Sequence, residues 1–254
     1  KQLEEQLGIE LFERQTRSIR LTAAGKNFYD SVSPLIKALE KTINEFSQLQ
    51  ENVTISITLP EFFASELLMP KLSEWTSDHP NTNLQLNTLK TRKELTKQSD
   101  LSIVLSSSKP HEGVVHELFS LSYTPACNKE NWQAWQENPF QALNEVPLIL
   151  HKARPWAWHQ WAEHAGIDDF APKQIIQVDS MFGVARAAQQ GMGIALIPLP
   201  ISQTWFDEQW LFNFTNMPLK TKDKYYLVQH EPSETNAQLE LFIKWMLDTF
   251  KHLK

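Results

Sequence analysis

The 254 residues carry a formal net charge of -6, with 41% hydrophobic and 21% charged side chains. These proportions are ordinary for a globular protein, and no apolar run is long enough to span a membrane. The single cysteine, Cys127, excludes a disulfide within this sequence and fits a reducing compartment. We therefore expect a cytoplasmic protein with no membrane partner.

The charge is distributed unevenly along the chain. Residues 1–50 hold seven basic and seven acidic side chains, which leaves 17 of the 24 basic and 23 of the 30 acidic residues for 51–254. The longer part therefore carries the whole net charge of -6. Because like charges repel, we expect a polyanion to approach only the front of the chain.

The front of the chain predicts a short helix, a two-stranded ribbon and a long helix. "KQLEEQLG" predicts a helix that ends at Gly8, and "IELFER" and "SIRLT" predict strands on either side of "QTRS". Thr22 is suited to cap the next helix, in which Pro34 is expected to cause a bend or a break. A heptad pattern in this helix predicts packing along another helix, and the alternative is a helix that lies on its own domain. The heptad positions are Val32, Leu35, Leu39, Thr42, Phe46 and Leu49.

From residue 52 onward, strand and helix patterns alternate, which is typical of an α/β fold with a parallel sheet. The predicted strands are "VTISITLP", "TNLQLNTL", "DLSIVLSSS", "SYTPACN", "VPLILHKA", "KQIIQVDS", "GIALIP" and "KYYLVQHE". The predicted helices are "FFASELLMPKLSEWTSDHP", "AWHQWAEHAG", "MFGVARAAQQG" and "AQLELFIKWMLDTFKHL".

The motifs in the sequence predict no catalytic group, no metal site and no cofactor. "GMGIAL" has the order helix, glycines, strand, whereas a dinucleotide fingerprint needs its glycines between a strand and a helix. His159 and His164 are five residues apart, so they do not share a helix face as a zinc pair would. The sequence shows no nucleophile elbow and no phosphate-binding loop.

Three strand-to-helix junctions, "TLPEFF", "LSSS" and "VDSMF", carry polar side chains suited to a small ligand. Ligands of open α/β sheets bind beyond the carboxyl ends of the strands. The hydroxyls of Thr58, Ser106, Ser107 and Ser180 are therefore candidates. Each of them, taken alone, also fits an ordinary cap or turn position.

The stretch "KQLEEQLGIELFERQTRSIRLTAAG" resembles the end of the winged helix-turn-helix of LysR-type transcriptional regulators, whose pattern is "LEExLGxxLFxRxxRxxxLTxAG". The resemblance implies that Arg14, Arg17 and Arg20 lie in a wing and contact the phosphate backbone of DNA, the alternative being a solvated basic turn. The family's first helices would precede Lys1, so we expect the chain as it stands to bind DNA weakly and in a salt-sensitive way. The matching residues are Leu3, Glu4, Glu5, Leu7, Gly8, Leu11, Phe12, Arg14, Arg17, Leu21, Thr22, Ala24 and Gly25.

The layout of the longer part resembles the effector-binding module of the same family, which is similar to periplasmic solute-binding proteins. "ARAAQQGMGIALIP" and the Trp158–Trp161 pair resemble the subgroup that includes the glycine-cleavage activator and the β-lactamase regulator. The implied fold class is α/β: a partial winged helix-turn-helix, a long linker helix and a two-lobed effector domain. The implied domains are 1–22 (helix end and wing), 23–50 (dimerising linker helix) and 52–254 (effector domain), with lobe one formed by 52–121 plus 226–254 and lobe two by 122–225.

The resemblance further implies an effector between the lobes. Phe62 stands where related regulators often have Ser or Thr to hold a carboxylate, and Glu61 lies beside it. We therefore expect an effector with an aromatic or apolar portion. An effector that also bears an amine is one option, and an anionic effector is the other, because Arg154 carries a positive charge. Core packing fits Phe63 and Trp156 equally well. The full candidate set is Thr58, Glu61, Phe62, Phe63, Ser106, Ser107, Thr124, Trp156, Asp179, Ser180, Phe182 and Pro198.

The partners implied by the resemblance are DNA, the small-molecule effector and further copies of the chain in a homodimer or homotetramer. RNA polymerase is an additional candidate, and the helices at 64–77 and 182–190 would pair antiparallel between sensor modules. The alternative function is a solute-binding protein of a transport system, which shares the lobes but does not account for the basic front. An enzyme on the same scaffold is less well supported, because no catalytic or metal motif is recognisable.

Overall fold

The computed structural model describes residues 2–15, 18–48, 53–89, 99–230 and 236–253. The chain divides into two units, Lys1–Asn52 and Val53–Lys254. Within the described residues, none of the helices has both the length and the apolar character that crossing a bilayer requires.

The first unit contains a short helix, a two-stranded ribbon and a long helix. These are α1 (Gln2–Leu7), β1 (Phe12–Gln15), β2 (Ser18–Leu21) and α2 (Ala23–Gln48). The two strands are antiparallel and place Glu13 opposite Arg20. Gly8 follows α1 with a φ of +66°, a conformation that glycine adopts without steric cost and that commonly ends a helix.

Side chains on the first helix and before the long helix hold this unit together. The Glu4 carboxylate accepts hydrogen bonds from the backbone N–H groups of Leu11 and Phe12, at 3.0 and 3.2 Å. The Thr22 hydroxyl accepts the Gly25 N–H at 2.9 Å and donates to the Glu10 carbonyl at 2.8 Å. Thr22 therefore caps α2, as the sequence predicts.

Helix α2 continues through Pro34 without the break that the sequence allowed. A proline removes one backbone donor, and the remaining hydrogen bonds of a 26-residue helix hold it together on both sides. Leu35 and Leu39, two of the predicted heptad positions, are 67% and 60% exposed. Leu49 and the side chains of Thr42 and Phe46 lie outside the described residues.

The second unit is built on one mixed sheet in the order β4-β3-β5-β11-β6-β9-β7-β8, with β10 on β6. At one end β4, β3 and β5 are parallel, and at the other end β9, β7 and β8 are parallel. Between them the two longest strands, β6 and β11, run antiparallel to each other. The strands are β3 (Val53–Pro60), β4 (Thr82–Leu89), β5 (Leu101–Ser106), β6 (Val114–Cys127), β7 (Leu148–His151), β8 (Ile175–Val178), β9 (Ile194–Leu199), β10 (Phe212–Asn213) and β11 (Leu219–Gln229).

Helices cover this sheet and begin where strands end. The first of them is continuous from Glu61 to Asp78 and contains a π-helical turn at Ala64–Leu68. The helices are α3 (Glu61–Phe63), α4 (Met69–Asp78), α5 (Lys129–Trp135), α6 (Pro139–Glu145), α7 (Ala157–His164), α8 (Met181–Gln189), α9 (Gln203–Asp207) and α10 (Ala237–Thr249), followed by a 3-10 turn at Lys251–Leu253.

The sequence predicted most of these elements but shortened both long strands. Strand β6 begins at Val114, eight residues before the predicted "SYTPACN", and β11 begins at Leu219 instead of Lys224. The segment missed from β11, "LKTKD", is mostly polar and lacks the apolar run that marks the other strands. Composition gives no such reason for "VVHELFSL" at the start of β6, because five of its eight residues are apolar. Helices α5, α6 and α9 were also not predicted, since each has seven or fewer residues.

Aromatic side chains fill the core on both sides of the sheet's centre. Phe63 packs on Phe119, Tyr225 and Phe250 with ring centroids 5.0–6.1 Å apart. Farther along the sheet, Trp161 is fully buried beside Trp158, and its indole N–H donates to the Met217 carbonyl at 2.7 Å. A buried indole needs such an acceptor, because an unpaired donor costs free energy.

Candidate functional site

A cavity of about 850 Å³ opens at the carboxyl ends of the parallel strands. Pro60, Leu89 and Leu105 line it from the ends of β3, β4 and β5, and His151 lines it from the end of β7. Strand ends of both parallel groups therefore meet at the cavity, where backbone N–H groups of following helices and loop side chains are available to a ligand.

Six of the twelve predicted site residues line this cavity. Glu61 and Phe62 come from the start of α3, and Ser180 precedes α8. The Ser180 hydroxyl also accepts the Gly183 N–H at 3.3 Å, so it caps α8 as well as facing the cavity. The six residues are Glu61, Phe62, Ser107, Trp156, Ser180 and Pro198. Their roles as ligand contacts remain predictions.

Three of the other predicted polar residues lie outside the lining and make internal hydrogen bonds. The Thr58 hydroxyl is fully buried and pairs with the Ser99 hydroxyl at 2.5 Å. Ser106 accepts the Ser108 N–H at 3.3 Å, and the Thr124 hydroxyl donates to the Asn213 side-chain oxygen at 3.2 Å. Each of these hydroxyls is thus satisfied within the protein, which is the alternative that the sequence left open for junction residues.

The remaining three predicted residues also lie outside the lining. Phe63 belongs to the aromatic core, where its ring is fully buried. Asp179 is exposed on the loop before α8. Phe182 is 39% exposed and packs edge-on against Trp205 at 6.0 Å. Core packing explains Phe63, whereas Asp179 and Phe182 are exposed on either side of Ser180 and Met181 without belonging to the lining.

An ion pair stands in the cavity wall. Arg154 Nη1 lies 2.6 Å from Asp223 Oδ2, with side chains 24% and 15% exposed. The guanidinium carbon of Arg154 lies 5.1 Å from the centre of the Tyr123 ring, which adds a cation–π contact. Two opposite charges that are mostly removed from water interact strongly. If one of them loses the other, it needs a new partner, because a buried unpaired charge costs free energy.

Burial changes the ionisation of the groups around this pair. It raises the pKa of Tyr123 to about 12, against the opposing effect of the Arg154 charge. Burial and the neighbouring Tyr123 also raise the pKa of Tyr225. Burial and the positive charge of Arg154 lower the pKa of His151, whose Nδ1 accepts the Ala153 N–H at 3.2 Å. At neutral pH the phenols and the imidazole are therefore uncharged, while Arg154 stays charged beside Asp223.

The backbone beside the ion pair is irregular. The pairing of β11 with β6 shifts register between Lys220 and Lys224, so residues 221–223 form a bulge. The Thr221 hydroxyl donates to the Leu121 carbonyl at 3.0 Å and accepts the Asp223 N–H at 3.2 Å. The Asp223 carboxylate that pairs with Arg154 therefore belongs to an irregular stretch of β11.

Sequence reasoning singled out Arg154 but missed its partner and the rest of this wall. Thr221 and Asp223 precede Lys224, the residue at which the sequence predicts β11 to begin. Tyr123 lies in the predicted strand "SYTPACN" but is not among the predicted site residues. For Thr221 and Asp223 the available signal is the alternation "LKTKDKYY", because every second residue of a regular strand faces the same side.

The fold and the cavity define a ligand-binding α/β module that is preceded in the chain by a helix, a ribbon and a long helix. Models of known protein families match both parts of the chain. A model described as the LysR substrate binding domain matches residues 49–251, and one described as a bacterial regulatory helix-turn-helix protein of the lysR family matches residues 1–26. The chain belongs to the LysR family of bacterial transcriptional regulators.

Relatives in sequence carry regulator names. The glycine cleavage system transcriptional activator of Escherichia coli K12 is 23% identical over 258 residues, covering 97% of this chain and 81% of that protein. The transcriptional activator AmpR of Pseudomonas aeruginosa is 26% identical over 254 residues, covering 98% and 83%. These names favour the regulator over the solute-binding alternative.

Solved structures show the same fold. The effector domain of AmpR from Pseudomonas aeruginosa superposes with a TM-score of 0.68 at 21% identity, covering 78% of this chain and 96% of that one. CrgA, a LysR-type transcriptional regulator from Neisseria meningitidis, gives a TM-score of 0.63 at 18% identity, covering 98% and 86%. The predicted α/β fold class, with an effector-binding domain that follows residues of a lysR-family helix-turn-helix and a long helix, is confirmed.

Proposed function

We propose that this regulator senses a small-molecule effector in the cavity at the strand ends of Val53–Lys254, the sensor unit, and acts on DNA through Lys1–Asn52, the front unit. The observation that carries the proposal is the cavity itself, about 850 Å³, with an Arg154–Asp223 pair in its wall and strand ends of both parallel groups around it. This volume suits a metabolite-sized ligand. Glu61, Phe62, Ser107, Trp156, Ser180 and Pro198 are the proposed contacts from the predicted set.

The topology supports two lobes that share the long strands. Strands β3, β4 and β5 fall in 52–121, and β7, β8 and β9 fall in 122–225, while β6 and β11 pass from one group to the other. We therefore assign lobe one to 52–121 plus 226–254 and lobe two to 122–225. Effector binding would shift an existing equilibrium between lobe arrangements, because a ligand favours the arrangement that it binds more tightly.

A pair of tryptophan substitutions tests the effector site. Ser107 lines the cavity and is exposed, whereas its neighbour Ser108 is exposed and outside the lining. In a thermal-shift screen of metabolites, a true effector should stabilise the wild type and Ser108→Trp, by about 2.7 kcal/mol at a hundredfold excess over its Kd. Ser107→Trp should lose that response because the indole projects into the cavity and obstructs the ligand. A ligand that stabilises all three proteins equally would place the site elsewhere.

The front unit supports the DNA and oligomer roles. We propose that Arg14, Arg17 and Arg20 contact DNA phosphates, and that α2 pairs with the same helix of a second copy through its exposed leucines. A dimer or tetramer bound to bacterial DNA acts in the cytoplasm. The helices at 64–77 and 182–190 would join sensor modules, with Met69 and Phe182, 51% and 39% exposed, as apolar contacts.

The salt dependence of DNA binding tests the wing. Arg20 is exposed on β2, and Lys244, exposed on α10, serves as a control that removes the same charge. Arg20→Gln should weaken non-specific DNA binding and reduce the slope of log K against log salt by about 1. Lys244→Gln should change neither quantity. An unchanged slope for Arg20→Gln would remove this arginine from the interface.

A further inference from the structure

One carboxylate already occupies Arg154 in the cavity wall. A guanidinium presents a planar fork of donors that matches a carboxylate with two hydrogen bonds. The bond from Arg154 to Asp223 runs from Nη1 to Oδ2 at 2.6 Å. Both side chains belong to the cavity lining. A ligand that enters the cavity therefore meets an arginine whose present partner is the same chemical group that many metabolites carry.

The other charges at the cavity favour an anion. Lys220 and Lys222 line it from β11, and Glu61 lines it from α3. Apart from the Arg154–Asp223 pair, the lining thus has two cations and one acid, while His151 is held neutral by burial and by Arg154. An entering carboxylate is attracted on balance, even though the protein as a whole is acidic.

The rest of the lining is apolar. Phe62 and Leu89 lie with Ile103 and Leu105 at the strand ends of one parallel group, and Met181 faces the cavity from α8. Such walls stabilise a ligand by removing apolar surface from water, at about 25 cal/mol per Å². The effector consequently needs an apolar body in addition to its charge.

We propose that the effector is a carboxylate with an apolar body, and that its carboxylate takes the place of Asp223 on Arg154. This inference rests on the proposed effector function and gives the chemistry of the same site. It selects the anionic option that the sequence left open over the amine.

The exchange of carboxylates on Arg154 also links ligand binding to the strand that both lobes share. Asp223 sits in the bulge at 221–223 of β11, a strand that both lobes share, and its N–H bonds the Thr221 hydroxyl that in turn bonds Leu121. When the ligand carboxylate binds Arg154, the Asp223 carboxylate loses the ion pair that holds the bulge in its present conformation. The bulge then loosens at the strand between the lobes, which is where a change of lobe arrangement must occur.

The test uses three probes with one apolar body: 3-phenylpropionate, 3-phenylpropionamide and 3-phenylpropylamine. Titration calorimetry on the 254-residue chain should show the carboxylate binding at least about tenfold more tightly than the amide and the amine. Asp223→Asn removes the competing charge with little change of shape, so it should tighten carboxylate binding about fivefold or more. Asp248→Asn, on an exposed position of α10, should leave all three affinities unchanged.

Arg154→Gln should weaken carboxylate binding about tenfold or more. If that variant fails to fold, the Asp223→Asn comparison decides alone. Hydrogen exchange at residues 219–224 should become faster when the wild type is saturated with 3-phenylpropionate. Unchanged or slower exchange there would overturn the signalling role of the bulge.

The possible results distinguish a failure of the carboxylate exchange from a failure of the proposed effector function. Tighter binding of the amine, or weaker carboxylate binding by Asp223→Asn, overturns the exchange while leaving an effector cavity in place. Unchanged binding in Ser107→Trp would show that the ligand binds outside this cavity, which overturns both the exchange and the proposed effector site. Failure of all three probes to bind either the wild type or Asp223→Asn also overturns the carboxylate assignment, and the metabolite screen then decides the function.

Discussion

The two units of this chain treat their apolar residues in opposite ways. In Val53–Lys254 the aromatic residues at the centre, Phe63 and Trp161 among them, are fully buried. In Lys1–Asn52 large apolar side chains are exposed along the chain, including Ile19 at 70% and Leu35 at 67%, whereas Leu11 is buried at 4%. The sensor unit closes its own core, and the exposed leucines of the front unit are available for the proposed pairing of α2 with a second copy. Substitutions of core residues should therefore change intrinsic stability, and substitutions of the exposed leucines should change association.

Loss of a core tryptophan should produce the largest effect. Trp161→Ala removes a fully buried ring and leaves the Met217 carbonyl without its indole donor. The free energy of unfolding of the sensor unit should fall by about 3–5 kcal/mol. Urea denaturation followed by circular dichroism measures it. Trp156→Ala, at a 53% exposed position, is the control and should change stability by less than about 1 kcal/mol.

A glycine tests the packing of the front unit. A Cβ at Gly25 would overlap the Leu11 carbonyl oxygen, so Gly25→Ala should destabilise that unit by about 1–3 kcal/mol. Hydrogen exchange should quicken in residues 2–30 and remain unchanged after Val53. Gly8→Ala is the comparison: an added Cβ there meets no described atom within 4 Å, and the strain at φ +66° costs about 1–2 kcal/mol. Faster exchange throughout the sensor unit would show that the units are not independent.

Exposed leucines on the long helix should matter for association. Leu35→Ala with Leu39→Ala should lower the association constant at least about tenfold, since each buried leucine contributes about 1.5–3 kcal/mol. The unfolding free energy of the sensor unit should stay within about 0.5 kcal/mol of the wild type. Analytical ultracentrifugation measures the first quantity and urea denaturation the second. Unchanged association would assign these leucines to some other contact.

The smallest expected effect concerns pH. The folded pKa of His151 lies below its ordinary value, mainly because of burial, so the unfolded chain binds a proton first as the pH falls. His151 therefore contributes stability above about pH 6.5, the ordinary pKa of histidine, and that contribution is lost below it. His151→Gln should flatten the decline of Tm between pH 7 and 5. A decline of Tm as steep in His151→Gln as in the wild type would assign the loss of stability at low pH to other groups.

The cavity residues show how much of a binding site a short sequence pattern predicts. Ser180 was predicted because a polar residue between a strand and a helix is visible in a short window, and it does line the cavity. Thr58 has the same kind of position, yet its hydroxyl turns to Ser99 inside the protein. A junction pattern specifies the residue's place on the strand end, but the direction of its side chain depends on neighbours that are distant in sequence.

The sequence by itself determined the order of the longer elements, the Thr22 cap, the ribbon and the family, because these depend on residues a few positions apart. Tertiary structure alone decided that Arg154 meets Asp223, 69 positions farther along the chain, and that residues 221–223 bulge where they do. The physical reason is that polar strand segments carry little apolar periodicity, so their register and their charge partners are set by the sheet that assembles around them.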